Sequence, residues 1–170
     1  ETMDPYLDAA NVDLKAFRDS FYRERCGARL EPVLDSIRAM KELGIWIEVT
    51  TLLIPGANDS DEEIADCASF IASVGKDIPW HISRFHPQYR EREMTATPIA
   101  SLRRADEIGK KAGLVSVYLG NVAEGHNTYC PACGSLLVER DGFYGADSLI
   151  GKGVCVHCGE HIAGVFFDNR

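Results

Sequence analysis

The chain has 170 residues and a formal net charge of −8. That length holds one ordinary core, or a core with a small appendage, and the acidic balance argues against a nucleic-acid partner, since phosphate binding leaves a basic footprint. No apolar run approaches the roughly 20 residues that span a bilayer, and six cysteines without an export signal favour metal binding in a reducing, cytoplasmic compartment over disulfides.

The opening Glu1-Thr2-Met3-Asp4 is acidic and polar, unlike a signal peptide. A strand follows almost at once, as if the chain began mid-fold, so a fragment of a longer protein is expected. Ala9 to Ala16 alternates strictly, with Val12 and Leu14 on one face and Asn11, Asp13 and Lys15 on the other. Phe17 to Gly27 reads as a partly helical turn. Leu30, Val33, Leu34, Ile37, Met40 and Leu43 form an apolar helical stripe, with Pro32 tolerable in the first turn.

Ile45 to Ile54 is the plainest strand in the chain, rich in β-branched residues and cut off by Pro55-Gly56. After it, Ser60-x-x-Glu63 has the spacing of a capping box, and Ile64, Cys67, Ala68 and Ile71 make the next helical stripe. Pro79 to Pro87 is a third strand. Thr97-Pro98 reads as the cap and first residue of a helix carried by Leu102, Ala105, Ile108 and Ala112. Val115 to Leu119 is the fourth strand.

This βαβαβαβ order predicts an α/β fold of parallel strands over residues 1–122, with right-handed crossovers. One strand face is apolar; the other collects Asn11, Asp13, Lys15, Glu48, Thr50, His81, Ser83, Ser116 and Tyr118. The inner layers of a closed eight-stranded barrel are mostly branched and apolar, and buried unpaired polar groups cost about 1–3 kcal/mol each. A partial barrel with an open polar lumen is the expectation.

Residues 123–170 form a second unit organised by Cys130-Pro131-Ala132-Cys133-Gly134 and Cys155-Val156-His157-Cys158-Gly159. Two residues between thiols let one turn present both sulfurs to a tetrahedral ion, and the glycine after them admits the positive φ such a turn needs. Cys130, Cys133, Cys155 and Cys158 are therefore a four-cysteine, zinc-ribbon-like site, with zinc first and iron second among the metals that soft thiolates accept. A closed four-thiolate site has no open position for chemistry, so the ion is expected to fold the unit. Ser135 to Glu139 and Gly142 to Leu149 suit a short hairpin between the pairs. His157 and His161 read as bystanders, Cys67 as a core residue, and Arg103-Arg104 as solvated surface.

Asp13 and Lys15, two apart, share a face near the end of the first strand, and ligands of α/β folds bind at that end. Pro55 to Asp59 and His86-Pro87 close neighbouring strands at the same rim. A solvated ion pair is the plain alternative for Asp13 and Lys15.

Asn11-Val12-Asp13-Leu14-Lys15-Ala16-Phe17, Thr51 to Asp59, Trp80 to Pro87 and Asn127 to Gly134 together resemble the radical S-adenosylmethionine (SAM) enzyme of the AmmeMemoRadiSam system, a group similar to pyruvate formate-lyase activating enzymes. The resemblance implies that Asp13 and Lys15 contact the methionyl part of SAM and that His86 approaches its ribose. It also implies that Ile54, Pro55 and Gly56 border the adenine, in an incomplete barrel with room for a peptide-like or protein substrate. The family's Cys-x-x-x-Cys-x-x-Cys motif, which holds the [4Fe–4S] cluster, and its Gly-Gly-Glu segment are absent. Both belong upstream, so the chain looks like the C-terminal half, lacks its N-terminal partner half, and is expected to do no radical chemistry alone. Two further readings stand beside this one: a Schiff-base lyase using Lys15, and a non-catalytic module whose ribbon docks a protein partner.

Overall fold

A computed structural model of the chain describes residues 6–141, 144–148 and 150–166. The chain divides into two compact units, Glu1–Val122 and Ala123–Arg170. The expectations for Glu1 to Asp4, Gly142 and Leu149 lie outside the described residues.

In the first unit, β1 (Ala9–Asp13), β2 (Trp46–Leu53), β3 (Trp80–Arg84) and β4 (Val117–Gly120) form a parallel sheet in chain order. A short helix, α1 (Asp19–Phe21), runs into a π-helical turn over Tyr22–Cys26, which Gly27 ends at φ 63°. Longer helices α2 (Glu31–Glu42), α3 (Asp61–Val74) and α4 (Ile99–Lys111) make the crossovers. Each opposes an apolar stripe to the sheet, and Leu34, Ile37, Ile64, Ile71, Leu102 and Ala105 are all buried.

Alternation decides which strand face the helices cover. Ile47, Val49, Thr51 and Leu53 of β2 are buried, whereas Trp46, Glu48, Thr50 and Leu52 are half-buried. Trp80, Ile82, Val117 and Leu119 continue the core face. Gly109 of α4 sits so close to the sheet that an added Cβ would lie 3.0 Å from both the Trp80 ring and Val117. The described strands of this unit form one four-stranded sheet, open at β1 and β4.

Two local expectations need correction. Val115 is exposed and the fourth strand begins at Val117: the turn after α4 ends at Gly113, Leu114 is the buried residue, and Val115 N donates to Lys76 O before the ladder with β3 starts. Thr97 does not cap α4. Pro98 takes the N-cap position without a side-chain bond, and the fully buried Thr97 hydroxyl instead bonds Leu53 O at 2.5 Å and accepts from Phe85 N at 3.0 Å. Ser60 does cap α3, accepting from Glu63 N.

The second unit contains the antiparallel set β5 (Thr128–Tyr129), β6 (Leu136–Asp141) and β7 (Tyr144–Ser148), and the pair β8 (Ile150–Gly151) and β9 (Val154–Cys155). β6 and β7 are the hairpin between the cysteine pairs. Among the described residues its buried apolar cluster is Leu137, Val138, Cys130 and Cys155, with Ile150 and Ile162 packed against it.

Candidate functional site

The C-terminal edge of the first sheet holds most of the buried polar groups, and they act on backbone. Just past β1, Leu14 N donates to Thr50 O, and Leu14 O accepts from the buried Thr51 hydroxyl at 2.8 Å. The Trp80 indole donates to that same hydroxyl at 2.9 Å. Lys15 N donates to the Tyr22 hydroxyl at 2.9 Å; desolvation raises the Tyr22 pKa, while this bond opposes the rise. Phe17 N donates to Glu63 at 2.9 Å, and Arg18 pairs with the other oxygen of that buried carboxylate at 3.0 Å. The chain leaving β1 is thereby tied down over Leu14 to Arg18.

Onto this held segment project Asp13 and Lys15, whose Oδ2 and Nζ lie 2.6 Å apart with roughly half of each side chain exposed. At the end of β2, Gly56 turns the chain at φ 70°, donating its N–H to Asp59 at 2.7 Å. His86 follows β3, with Nε2 3.5 Å from Asn121 O, and Asn121, itself at φ 60°, donates to Arg84 O at 3.1 Å. Asp13 and Lys15, Pro55 and Gly56, and His86 thus occupy three successive strand ends of one edge. Asp13 and Lys15 touch each other; His86 reaches the β4 end instead.

Below that edge, the polar face is a bonded surface. Parallel register sets Asp13 opposite Thr50, Thr50 opposite His81, and His81 opposite Tyr118. Glu48 accepts from the Trp46 indole at 3.2 Å and lies 2.7 Å from His81 Nε2 through its other oxygen. The His81 and Tyr118 rings stand 5.2 Å apart at 31°, and Thr50 donates to Asn11 at 3.0 Å. Asn11 and Asp13 are exposed, whereas Glu48, Thr50 and His81 are half-buried.

In the second unit the two knuckles repeat one geometry. Cys130 N and Cys155 N donate to the carbonyls of Ser135 and Glu160, while Gly134 N and Gly159 N return to Cys130 O and Cys155 O. Gly134 and Gly159 have φ of 72° and 79°. The four sulfurs lie within 4.8 Å of one another, with Cys130 to Cys158 at 3.6 Å and Cys133 to Cys155 at 3.9 Å. A tetrahedral ion with metal–sulfur bonds of about 2.3 Å needs edges of about 3.8 Å. The thiols therefore fit a metal ion as they stand. The Ser135 hydroxyl and backbone N–H pull Cys133 down to about 6. Cys158 is favoured as thiolate by the Glu160 N–H, yet the Cys133 sulfur and desolvation push it up to about 12. A cation removes that conflict.

The arrangement is that of an α/β sheet with polar side chains at its carboxyl edge in the first unit and four clustered thiols in the second. No family model matches the chain. It is 43% identical over 163 residues to an uncharacterized protein of Methanocaldococcus jannaschii, a match covering 92% of this chain and 48% of that protein. It is 29% identical over 98 residues to an isethionate sulfite-lyase activating enzyme of Nitratidesulfovibrio vulgaris, covering 53% of this chain and 32% of that enzyme. Its fold is similar to a crystal structure of a domain of pyruvate-formate lyase-activating enzyme from Bacteroides vulgatus, with a TM-score of 0.62, 20% identity, and coverage of 70% of this chain and 71% of that one. The chain spans half or less of the length of the curated relatives it matches.

Sequence reasoning named the edge residues but missed their supports. Asn58, Glu63 and Thr51 carried cues only as a turn former, a cap and a strand residue.

Proposed function

We propose that this chain is the C-terminal half of a radical SAM enzyme of the AmmeMemoRadiSam type, related to the activating enzymes of glycyl-radical systems, with an appended zinc ribbon. One observation carries the reading: Asp13 with Lys15, the Pro55-Gly56 turn and His86 lie on successive strand ends of one edge, above a polar face. The likeness to two activating enzymes supports it. In this reading the four strands belong to a partial barrel completed by an N-terminal half that carries the cluster ligands.

The exposed carboxylate of Asp13 and ammonium of Lys15 match the charges of the amino-acid end of SAM, one group for its ammonium and one for its carboxylate. The Ile54 to Gly56 turn borders the adenine, and His86 stands toward the ribose. With a [4Fe–4S] cluster, SAM supplies the radical chemistry. This chain's residues bind and orient the cofactor, and the Glu48, His81 and Tyr118 surface faces a substrate of peptide-like size. The zinc holds the second unit together and takes no part in the reaction.

The Schiff-base alternative is less well supported, since a nucleophilic lysine is a desolvated amine and Lys15 is a half-exposed partner of a carboxylate. In the full-length polypeptide, calorimetric titration with SAM tests the assignment. Lys15→Ala should weaken binding at least tenfold, by the loss of one charge-assisted contact worth about 1.5–3 kcal/mol. Wild-type affinity in that variant refutes the placement of Lys15.

A further inference from the structure

Asn58 is 3% exposed, in a loop where an ordinary turn-forming asparagine would face water. Its amide nitrogen donates to Lys15 O at 2.6 Å and to Leu52 O at 2.9 Å, and its side-chain oxygen accepts from Ile54 N at 2.7 Å. Three of the amide's four hydrogen-bonding positions are thus spent on backbone from two different strand ends. One partner belongs to the residue carrying the Lys15 ammonium. The others bracket the strand that runs into Pro55 and Gly56.

We infer that Asn58 is a positioning residue of the cofactor site, holding the Lys15 strand end and the Ile54 to Gly56 turn at one fixed separation. The inference rests on the SAM reading above for the identity of the ligand. Lys15 and the turn lie on separate strands, and the sheet ladder between β1 and β2 pairs residues only as far as Asp13 and Thr50. Beyond that point Leu14 N still reaches Thr50 O and the Thr51 hydroxyl still reaches Leu14 O, but for Lys15 the crossing bond to the β2 end is supplied by Asn58. A ligand gripped at one end by Lys15 and at the other by the turn needs that separation set before it binds, because each freely moving grip would be ordered at the expense of affinity. The side chain can do this only as an amide: donors are required toward two carbonyls and an acceptor toward one N–H. A carboxylate of the same shape keeps the acceptor and sets negative charge against two carbonyl oxygens.

Calorimetric titration of the full-length polypeptide with SAM tests this, using Asn58→Asp, Asn58→Ala, Lys15→Ala and the double variant Asn58→Ala with Lys15→Ala. Asn58→Asp and Asn58→Ala should each weaken SAM at least tenfold. In the Lys15→Ala background, Asn58→Ala should cost less than twofold, since the group it positions is gone. A role in stability alone would leave the two effects independent, and additive losses, or wild-type affinity in Asn58→Asp, overturn the inference. Amide hydrogen exchange without SAM separates the two proposals. Should the wild type not bind SAM, the cofactor reading fails, yet Asn58→Asp must still change exchange at Lys15 and at Ile54 together. Unchanged exchange at Lys15 in a folded Asn58→Asp variant sinks the positioning role itself.

Discussion

Thr51→Val replaces a hydroxyl with a methyl of nearly the same volume on the core face of β2, so a purely apolar account of the core predicts a gain. The structure predicts a loss. The Thr51 hydroxyl, 3% exposed, is the acceptor for the Trp80 indole N–H at 2.9 Å and the donor to Leu14 O at 2.8 Å. Trp80 is 1% exposed, so its orphaned N–H finds no water. An unsatisfied buried donor costs about 1–3 kcal/mol and the lost bond to Leu14 about 1 kcal/mol more, giving about 2–4 kcal/mol in all. Thr51→Ser keeps both bonds and deletes one methyl, about 1 kcal/mol. Urea unfolding followed by tryptophan fluorescence reads this cleanly, because both tryptophans, Trp46 and Trp80, lie in the first unit. The expected midpoints fall in the order wild type, serine, valine, with equal m-values. A valine variant as stable as the serine variant would show that the hydroxyl is no anchor and would refute the hydrogen-bond reasoning.

Three further outcomes concern the cysteine cluster, the helix–sheet contact at Gly109 and the Asp19 carboxylate. Cys130→Ser should take metal content from about one ion per chain to none and collapse the amide spectrum of residues 123–170, as metal analysis and NMR will show, because a four-thiolate site of this size folds with its ion. Gly109→Ala should lower stability by about 1–2 kcal/mol despite the roughly 1 kcal/mol gain in helix propensity, since its Cβ would meet the buried Trp80 ring and Val117 at 3.0 Å, both packed in the core; thermal unfolding gives the sign. Asp19 is held below its ordinary 3.8 first by the Leu30 N–H, then by Arg23 and Arg29. A depressed carboxylate adds stability above its unfolded pKa and loses it as pH falls through the folded value. The stability gap between wild type and Asp19→Asn should therefore be constant from neutral pH down to about 4 and shrink under stronger acid, in denaturation midpoints measured across that range.

What could be read from the sequence was what repeats locally. Alternation through Ile45 to Leu53 identified the central strand and its two faces, because residues two apart must share a face whatever the fold. The cysteine knuckles were legible for the same reason: each is one turn, and its Gly134 or Gly159 is required by backbone geometry alone. Thr97 shows where this stops. Its place before Pro98 reads as a cap, but its hydroxyl serves Leu53 and Phe85, and nothing near Thr97 in the chain announces a partner on β2. The meeting of Glu48 with His81 is likewise set by inter-strand register, which pairs Thr50 with His81. Sequence patterning put both residues on one face and left their contact unspecified.

The buried polar residues whose partners the sequence left unspecified have a common role. Among the described residues of the first unit, four of the five buried polar side chains, Thr51, Asn58, Glu63 and Thr97, bond backbone near a strand's C-terminal end, at Leu14, Lys15 and Leu52, Phe17, and Leu53 with Phe85, while the fifth, Ser101, lies on α4. Replacing any one of them by an apolar residue would leave its backbone partner unpaired, at about 1–3 kcal/mol for each buried group. Directional bonds differ from apolar contacts in what they constrain: they fix the separation and orientation of the chains they join. Four such groups at one edge tie the strand ends to one another, as the proposed cofactor site requires of the elements that carry Asp13, Lys15 and His86.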